Sequence, residues 1–488
     1  MGASRHISGY FVGTAITAAV GFLSVPLLMR LLGQTEFGRW ALVEPVLLVG
    51  SQAALIGTNW GVFKLISHDG LGAQSSYRQV IKSGWSLILL VAIISALLLG
   101  AMGFSLYEGA YLSLVVFVDA LLLLALATLR ASHSSTAFAG TQVIRGLVLV
   151  AVLFAALYGF FGLNNVSGVL LARLATGIAA LCMGVWLISR ILVTTERRVD
   201  QVKSTIDQGI YKEAVRYGLP MLITALLTMI LDLASRYVLA NYLNLELLAQ
   251  YVIYTKLVSA VSLLVVTPFS LWWAAERFRR LRDDDGGRSY FPIVANAFLI
   301  VILGAAGSLW LVFAPLLNLY APGVPNYPEV TALLLLGAVF AGMAYPLNIG
   351  LLNEGKTHKN IYAVVIGAAT HLTLCLFLIP PLGMLGAATA TMVGYFVYMV
   401  AFAVLSQQNY FVPFSYRRML LIAAIATMAL STIIYIIPGK NYLELAVRII
   451  AFLCVLALIG WPVYSGFAKY RIKLLADTGG PSVLTPDE

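Results

Sequence analysis

A chain of 488 residues that is 60% hydrophobic and only 11% charged is not an ordinary soluble domain, where about 25% of residues carry charge. Its formal net charge of +10 invites a nucleic-acid reading. The cations follow the loops rather than forming a patch, however, and that distribution argues against such a partner. Three cysteines, each inside an apolar run, argue against a disulfide framework or a metal site.

A helix needs about 20 apolar residues to cross the hydrocarbon core. Fourteen runs of that order follow one another along the chain. The first, Ile7–Leu32, is too long for a removable signal peptide and lacks its small-residue cleavage site, so it reads as a spanning helix. Trp40–Phe63, Gly84–Leu106, Tyr111–Leu129, Gly146–Leu163 and Val166–Ile188 follow. Next come Tyr217–Leu239, Tyr251–Trp273, Phe291–Leu316, Val330–Leu352, Ile361–Ile379 and Leu385–Leu405. Met419–Ile437 and Leu443–Val463 complete the set. A helix satisfies its own backbone polar groups in lipid, so the fold class is an all-α polytopic membrane protein with fourteen transmembrane helices.

Counting connections from the amino terminus, 24 of the 31 Lys and Arg fall on the side of the termini. Only Arg30, Arg39 and Lys440 fall on the other side, and four lie within helices. By the positive-inside rule both termini are cytoplasmic. Trp40, Trp60, Trp85, Trp272 and Trp273 sit near span ends, where interfacial belts form.

The long basic connection after span 6 divides the chain. It predicts an amino-terminal lobe over 1–190 (spans 1–6), a cytoplasmic linker over 191–216 and a carboxy-terminal lobe over 217–405 (spans 7–12). Spans 13–14 follow over 406–465, and a cytoplasmic tail over 466–488. A shift of 211 residues aligns the polar turn Leu32–Trp40 with Leu243–Tyr251, and Gly140-Thr141-Gln142 corresponds to Gly355-Lys356-Thr357. Both six-helix lobes enter from the same side. The expected relation is therefore a pseudo-two-fold along the membrane normal, with helices 13–14 an appended pair outside the repeat that would line a lipid-facing groove.

Several motifs are better read as structure. Gly350–Thr357 fits the phosphate-loop pattern, but it follows an apolar helix rather than a strand, so no nucleotide is expected. Asp283-Asp284-Asp285 reads as a solvated acidic cluster. No nucleophile turn, zinc helix or pair of catalytic carboxylates is evident, which points to a transporter without cofactors rather than an enzyme.

Ionisable residues inside spans are more informative, because each costs about 2.5–3.5 kcal/mol near a helix centre. They are Glu44, Asp119, Arg173, Asp232, Arg236, Lys256, His371, Glu444 and Arg448. Glu444 and Arg448 are spaced for a local ion pair, as are Asp232 and Arg236. The shift of 211 sets Glu44 opposite Thr255, beside Lys256, so these two are expected to pair and hold the external side shut. Pro26, Pro45, Pro268 and Pro346 would let the gating helices bend.

The opening Gly9-Tyr10 through Leu31-Leu32-Gly33-Gln34-Thr35-Glu36-Phe37-Gly38 resembles the amino-terminal signature of Wzx-type polysaccharide (O-antigen) flippases. Asn353–Thr357 followed by Ile379-Pro380-Pro381-Leu382-Gly383-Met384-Leu385-Gly386 strengthens the resemblance, which covers about residues 1–465. These proteins belong with multidrug extruders (MATE-like) and lipid II flippases in one superfamily (MOP). One departure stands out: where the family often has Asp-Arg late in helix 7, this chain has Ser235-Arg236.

The resemblance implies movement of an undecaprenyl-pyrophosphate-linked oligosaccharide across a bacterial cytoplasmic (inner) membrane, in polysaccharide and lipopolysaccharide biosynthesis. Arg173, Arg236 and Lys256 are the expected pyrophosphate contacts in the lumen. Glu44, Asp119, Asp232 and His371 are candidates for gating or ion coupling, with H+ or Na+ as the ion. Membrane lipids are the other expected partner; a cation-coupled multidrug extruder and a lipid II flippase stay open as alternatives.

Overall fold

The computed structural model describes residues 2–67, 73–132, 134–157, 164–196, 209–283, 285–353, 360–437 and 442–477. The regular structure among them is helical throughout. In chain order the helices are α1 (Gly2–Ala54), α2 (Thr58–Ser67), α3 (Ala73–Ala101), α4 (Leu106–Ala131), α5 (Ser135–Leu157) and α6 (Val166–Glu196). Then come α7 (Ile210–Tyr242), α8 (Leu245–Val261), α9 (Thr267–Arg280), α10 (Tyr290–Tyr320) and α11 (Pro328–Leu347). The last are α12 (Gly350–Asn353), α13 (Asn360–Leu382), α14 (Met384–Asn409), α15 (Tyr416–Ile436) and α16 (Tyr442–Asp477).

Twelve of these described segments are long and apolar enough to cross a membrane, counting α8 and α9 as one. The bent pair Ala19–Ala54 with Thr58–Ile66 brings the number to as many as 13. α1 explains the difference from fourteen. At about 1.5 Å per residue a straight helix of 53 residues would be about 80 Å long, far more than the bilayer core. Gly33 breaks it with φ 73° and ψ 176°, a region open essentially to glycine alone. The first two expected spans thus lie in one chain segment, and α2 completes the second.

The chain forms two compact units. The first holds Met1–Lys256 and Cys375–Ala387; the second holds Leu257–Leu374 and Ala388–Glu488. Residues 197–208 of the expected linker and 478–488 of the expected tail lie outside the described residues.

In the first unit α4 is the central helix. Two thirds (67%) of its most apolar stretch is buried, against 28% for α3. Leu122, Leu124, Ala125 and Leu129 of α4 form a core with Val62 and Leu65 of α2 and Ile88 of α3. A capping box closes its start: the Ser105 side chain accepts from the Glu108 amide, and the Glu108 carboxylate accepts from the Ser105 amide at 2.8 Å. Asn165, part of a glycosylation-like triplet, caps α6 by accepting from the Gly168 amide at 2.9 Å.

In the second unit α10 packs against α11, α15 and α16. Phe452 of α16 lies so close to Gly307 that a Cβ there would sit 2.3 Å from its ring. Between α8 and α9 the helix widens to a π turn over Ser262–Val266, just before Pro268. Proline has no N–H to donate to the Leu264 carbonyl and its ring would strike it, so the wider turn relieves both problems. α11 likewise ends just past Pro346, whereas α1 runs on through Pro26 and Pro45. Bending was expected at all four prolines; in α1 the break falls at Gly33 instead.

One further expectation changes. Trp40 and Trp273 are 2% and 0% exposed, so they pack inside the protein; Trp85 and Trp272, about half exposed, suit an interface. Arg448 donates to the Ile437 and Ile434 carbonyls at the end of α15, and so caps a neighbouring helix. Gly350 is a packing contact on α14, where its amide donates to Ser406 Oγ at 2.8 Å. It follows a helix, as expected, and residues 354–357 of the motif lie outside the described residues.

Candidate functional site

The candidate site lies within the first unit, where apolar helices bring six ionisable side chains together. α1 carries Trp40 and Glu44 one turn apart, on a stretch in which Ala41, Val43 and Leu47 are buried. Glu44 Oε2 accepts from Arg236 Nη1 of α7 at 2.9 Å, and Oε1 accepts from Lys256 Nζ of α8 at 3.0 Å. Arg236 also donates to the Ala41 carbonyl at 3.4 Å, and the neighbouring Tyr237 hydroxyl donates to the Leu42 carbonyl at 3.2 Å. The side chains of Arg236, Glu44 and Lys256 are 7%, 13% and 28% exposed, so bulk water does little to screen them.

A second pair adjoins the first. Arg145 Nη2 of α5 donates to both Asp119 oxygens of α4, at 2.9 and 3.0 Å. Arg173 of α6 connects the two: its guanidinium lies 5.8 Å over the Trp40 ring and within electrostatic reach of Glu44, Asp119 and Arg145. The six residues comprise four cations and two carboxylates. The cluster therefore carries more positive than negative charge in surroundings built from apolar helices, the electrostatic character that attracts an anion.

All three expected pyrophosphate contacts, Arg173, Arg236 and Lys256, belong to this cluster, together with Glu44 and Asp119. Two expectations lie elsewhere. Asp232 is exposed on α7, outside the contacts that Arg236 makes with Glu44. His371 is fully buried on α13 in the second unit, its Nε2 3.4 Å from Thr391 Oγ1.

Sequence reasoning missed Arg145, which was counted in the connection before span 5. α5 begins at Ser135, 11 residues before the expected Gly146, so this arginine lies well inside the helix. The signal was available: Asp119 sits in the middle of a long apolar run and requires a cation nearby.

A smaller cluster marks the Gly33 end of the unit. Arg39 bonds Glu36 at 2.9 Å and Glu108 at 3.2 Å, and lies 4.8 Å over the Phe104 ring. Thr35 and Glu246, separated by 211 positions, stand 3.4 Å apart there. No group of three or more metal-ligating side chains occurs among the described residues.

The family model for polysaccharide biosynthesis proteins matches residues 4–273, more than half of the chain and nearly all of the candidate site's first unit. The chain belongs to this family. No curated protein matches it. Among solved structures, this polysaccharide biosynthesis family member is similar to the lipid II flippase MurJ in an inward closed conformation. The TM-score is 0.68 at 12% identity, over 94% of this chain and 99% of that one. An outward-facing MATE multidrug resistance transporter of the MOP superfamily gives a TM-score of 0.55 at 12% identity, over 83% and 95%. A Vibrio cholerae MATE transporter, VcmN, gives 0.55 at 14% identity, over 83% and 97%. At such identities the likeness establishes the fold alone: an all-α polytopic membrane protein.

Proposed function

We propose that this family member is a Wzx-type flippase. It would carry an undecaprenyl-pyrophosphate-linked oligosaccharide from the cytoplasmic to the periplasmic leaflet of a bacterial inner membrane by alternating access, with both termini cytoplasmic. The observation that carries the reading is the cation surplus around Glu44. A pyrophosphate must cross a low-dielectric interior, and surplus buried cations lower that barrier. Arg173, Arg236 and Lys256 are its proposed contacts. An organic cation, the cargo of a multidrug extruder, would meet repulsion there.

A second feature supports a lipid-linked substrate. In the second unit, α10, α11, α14 and α15 enclose an open apolar groove of about 880 Å³, lined by Leu299, Leu336, Phe340, Phe396, Val404 and Leu420 among others. Such a groove suits a polyprenyl chain. Lipid II carries the same chemistry at its phosphates, so a lipid II flippase is the nearest competing assignment. The coupling ion, H+ or Na+, would act through Glu44, Asp119, Asp232 or His371.

The direct test is leaflet accessibility of a labelled lipid-linked oligosaccharide in vesicles that contain the purified protein. Wild-type protein should expose the label on the opposite leaflet, and Arg236→Ala, checked for normal insertion, should reduce that to background. Wild-type rates from the variant would remove Arg236 from the mechanism.

A further inference from the structure

Glu44 divides its two carboxylate oxygens between cations on two different helices, Oε2 with Arg236 and Oε1 with Lys256. Asp119 behaves differently, because both of its oxygens take the same nitrogen of Arg145. One carboxylate spanning two cations has the form of an anion site whose anion the protein itself supplies. Without it, Arg236 and Lys256 would be like charges held close together with little water to separate them.

We propose that Glu44 is a displaceable internal counter-ion. The diphosphate of the lipid-linked substrate takes the carboxylate's place on Arg236 and Lys256, and the carboxylate reclaims them when the substrate leaves. This rests on the function proposed above and assigns the residue that sets affinity at its headgroup site. The sign of its effect is distinctive. A purely structural ion pair, once broken, weakens the protein and its ligand binding together. A competing counter-ion, once neutralised, no longer contests Arg236 and Lys256 with the ligand, so binding tightens while release slows.

The test uses the full-length protein in lipid nanodiscs, with inorganic pyrophosphate and farnesyl pyrophosphate as probes, titrated calorimetrically at fixed ionic strength. Close charge pairs at interfaces are coupled strongly enough that Glu44→Gln should bind both probes at least about tenfold tighter than wild type. Its flipping rate in vesicles should fall. Glu36→Gln, which removes the same charge two turns away on α1, should leave affinity unchanged. The double variant Glu44→Gln/Lys256→Met should lose the gain. Unchanged or weaker binding by Glu44→Gln, or an equal gain from Glu36→Gln, would overturn the proposal. If Glu44→Gln fails to insert, Glu44→Asp reaches only one of the two cations and should show a smaller gain; its absence would count equally against the idea. Should neither wild type nor variant bind either probe, the functional reading itself falls, which is a separate outcome.

Discussion

Arg145 and Asp119 show how a membrane interior makes ionisable residues depend on one another. Neither belongs in an apolar helix alone, and each is tolerated because the other stands 2.9 Å away. Breaking such a pair leaves a buried charge uncompensated, at a cost of about 3–5 kcal/mol. Asp119→Asn should therefore lower the thermal unfolding midpoint of the detergent-purified protein substantially. Asp119→Leu/Arg145→Met, which removes both charges, should recover most of the loss. A double variant no more stable than the single would mean the pair is not the cause. Glu44 differs because it serves two cations at once, so its removal is felt at two helices rather than one.

Close helix packing around the break between α1 and α2 depends on glycine. The break itself places Ile56 at φ 44° and Gly57 at φ 80°, and α2 leaves at 47° to the preceding helix. Gly57 and Gly61 then face Ala214 and Gly218 of α7, small residues four apart on each side. A Cβ on Gly218 would sit 1.8 Å from the Gly57 carbonyl oxygen, and one on Gly61 2.1 Å from that of Ala214. Backbone cannot yield as a side chain can, so Gly218→Ala should force α2 and α7 apart. A cysteine pair engineered across the two helices should crosslink less efficiently in that variant, and unchanged crosslinking would refute the contact. Just past the Gly33 break of α1, a Cβ on Gly38 would lie 2.1 Å from the Leu245 carbonyl, so the same close approach recurs there.

For the molecule as a whole, the anion-attracting cluster belongs to one compact unit and the apolar groove to the other. That separation makes the two halves of the proposed substrate independently testable. Ala403→Trp would place a large ring in the groove on α14. It should slow flipping of the lipid-linked substrate while leaving the affinity for inorganic pyrophosphate as in wild type. A parallel loss of pyrophosphate affinity would mean that the groove does not act on the lipid tail alone. Thr35 and Glu246, which the 211-residue shift equates, stand 3.4 Å apart within the first unit.

Composition and hydropathy were enough to specify a helical membrane bundle, because the need to satisfy backbone hydrogen bonds in lipid leaves few alternatives. The same logic singled out Glu44, Asp119, Arg173, Arg236 and Lys256, since charge in an apolar run demands a partner. One partner was legible: the 211-residue shift paired Glu44 with Lys256, and the two meet at 3.0 Å. The share that Arg236 takes in the same carboxylate was not. Arg236 and Arg448, each spaced for a local pair on its own helix, also reach across to Glu44 and to the carbonyls of α15. Helical spacing describes neighbours on one helix, whereas the lowest-energy partner for a buried guanidinium comes from whichever helix packs against it. Arg145 was lost for a related reason: where a helix starts depends on what it packs against, and hydropathy blurs that boundary.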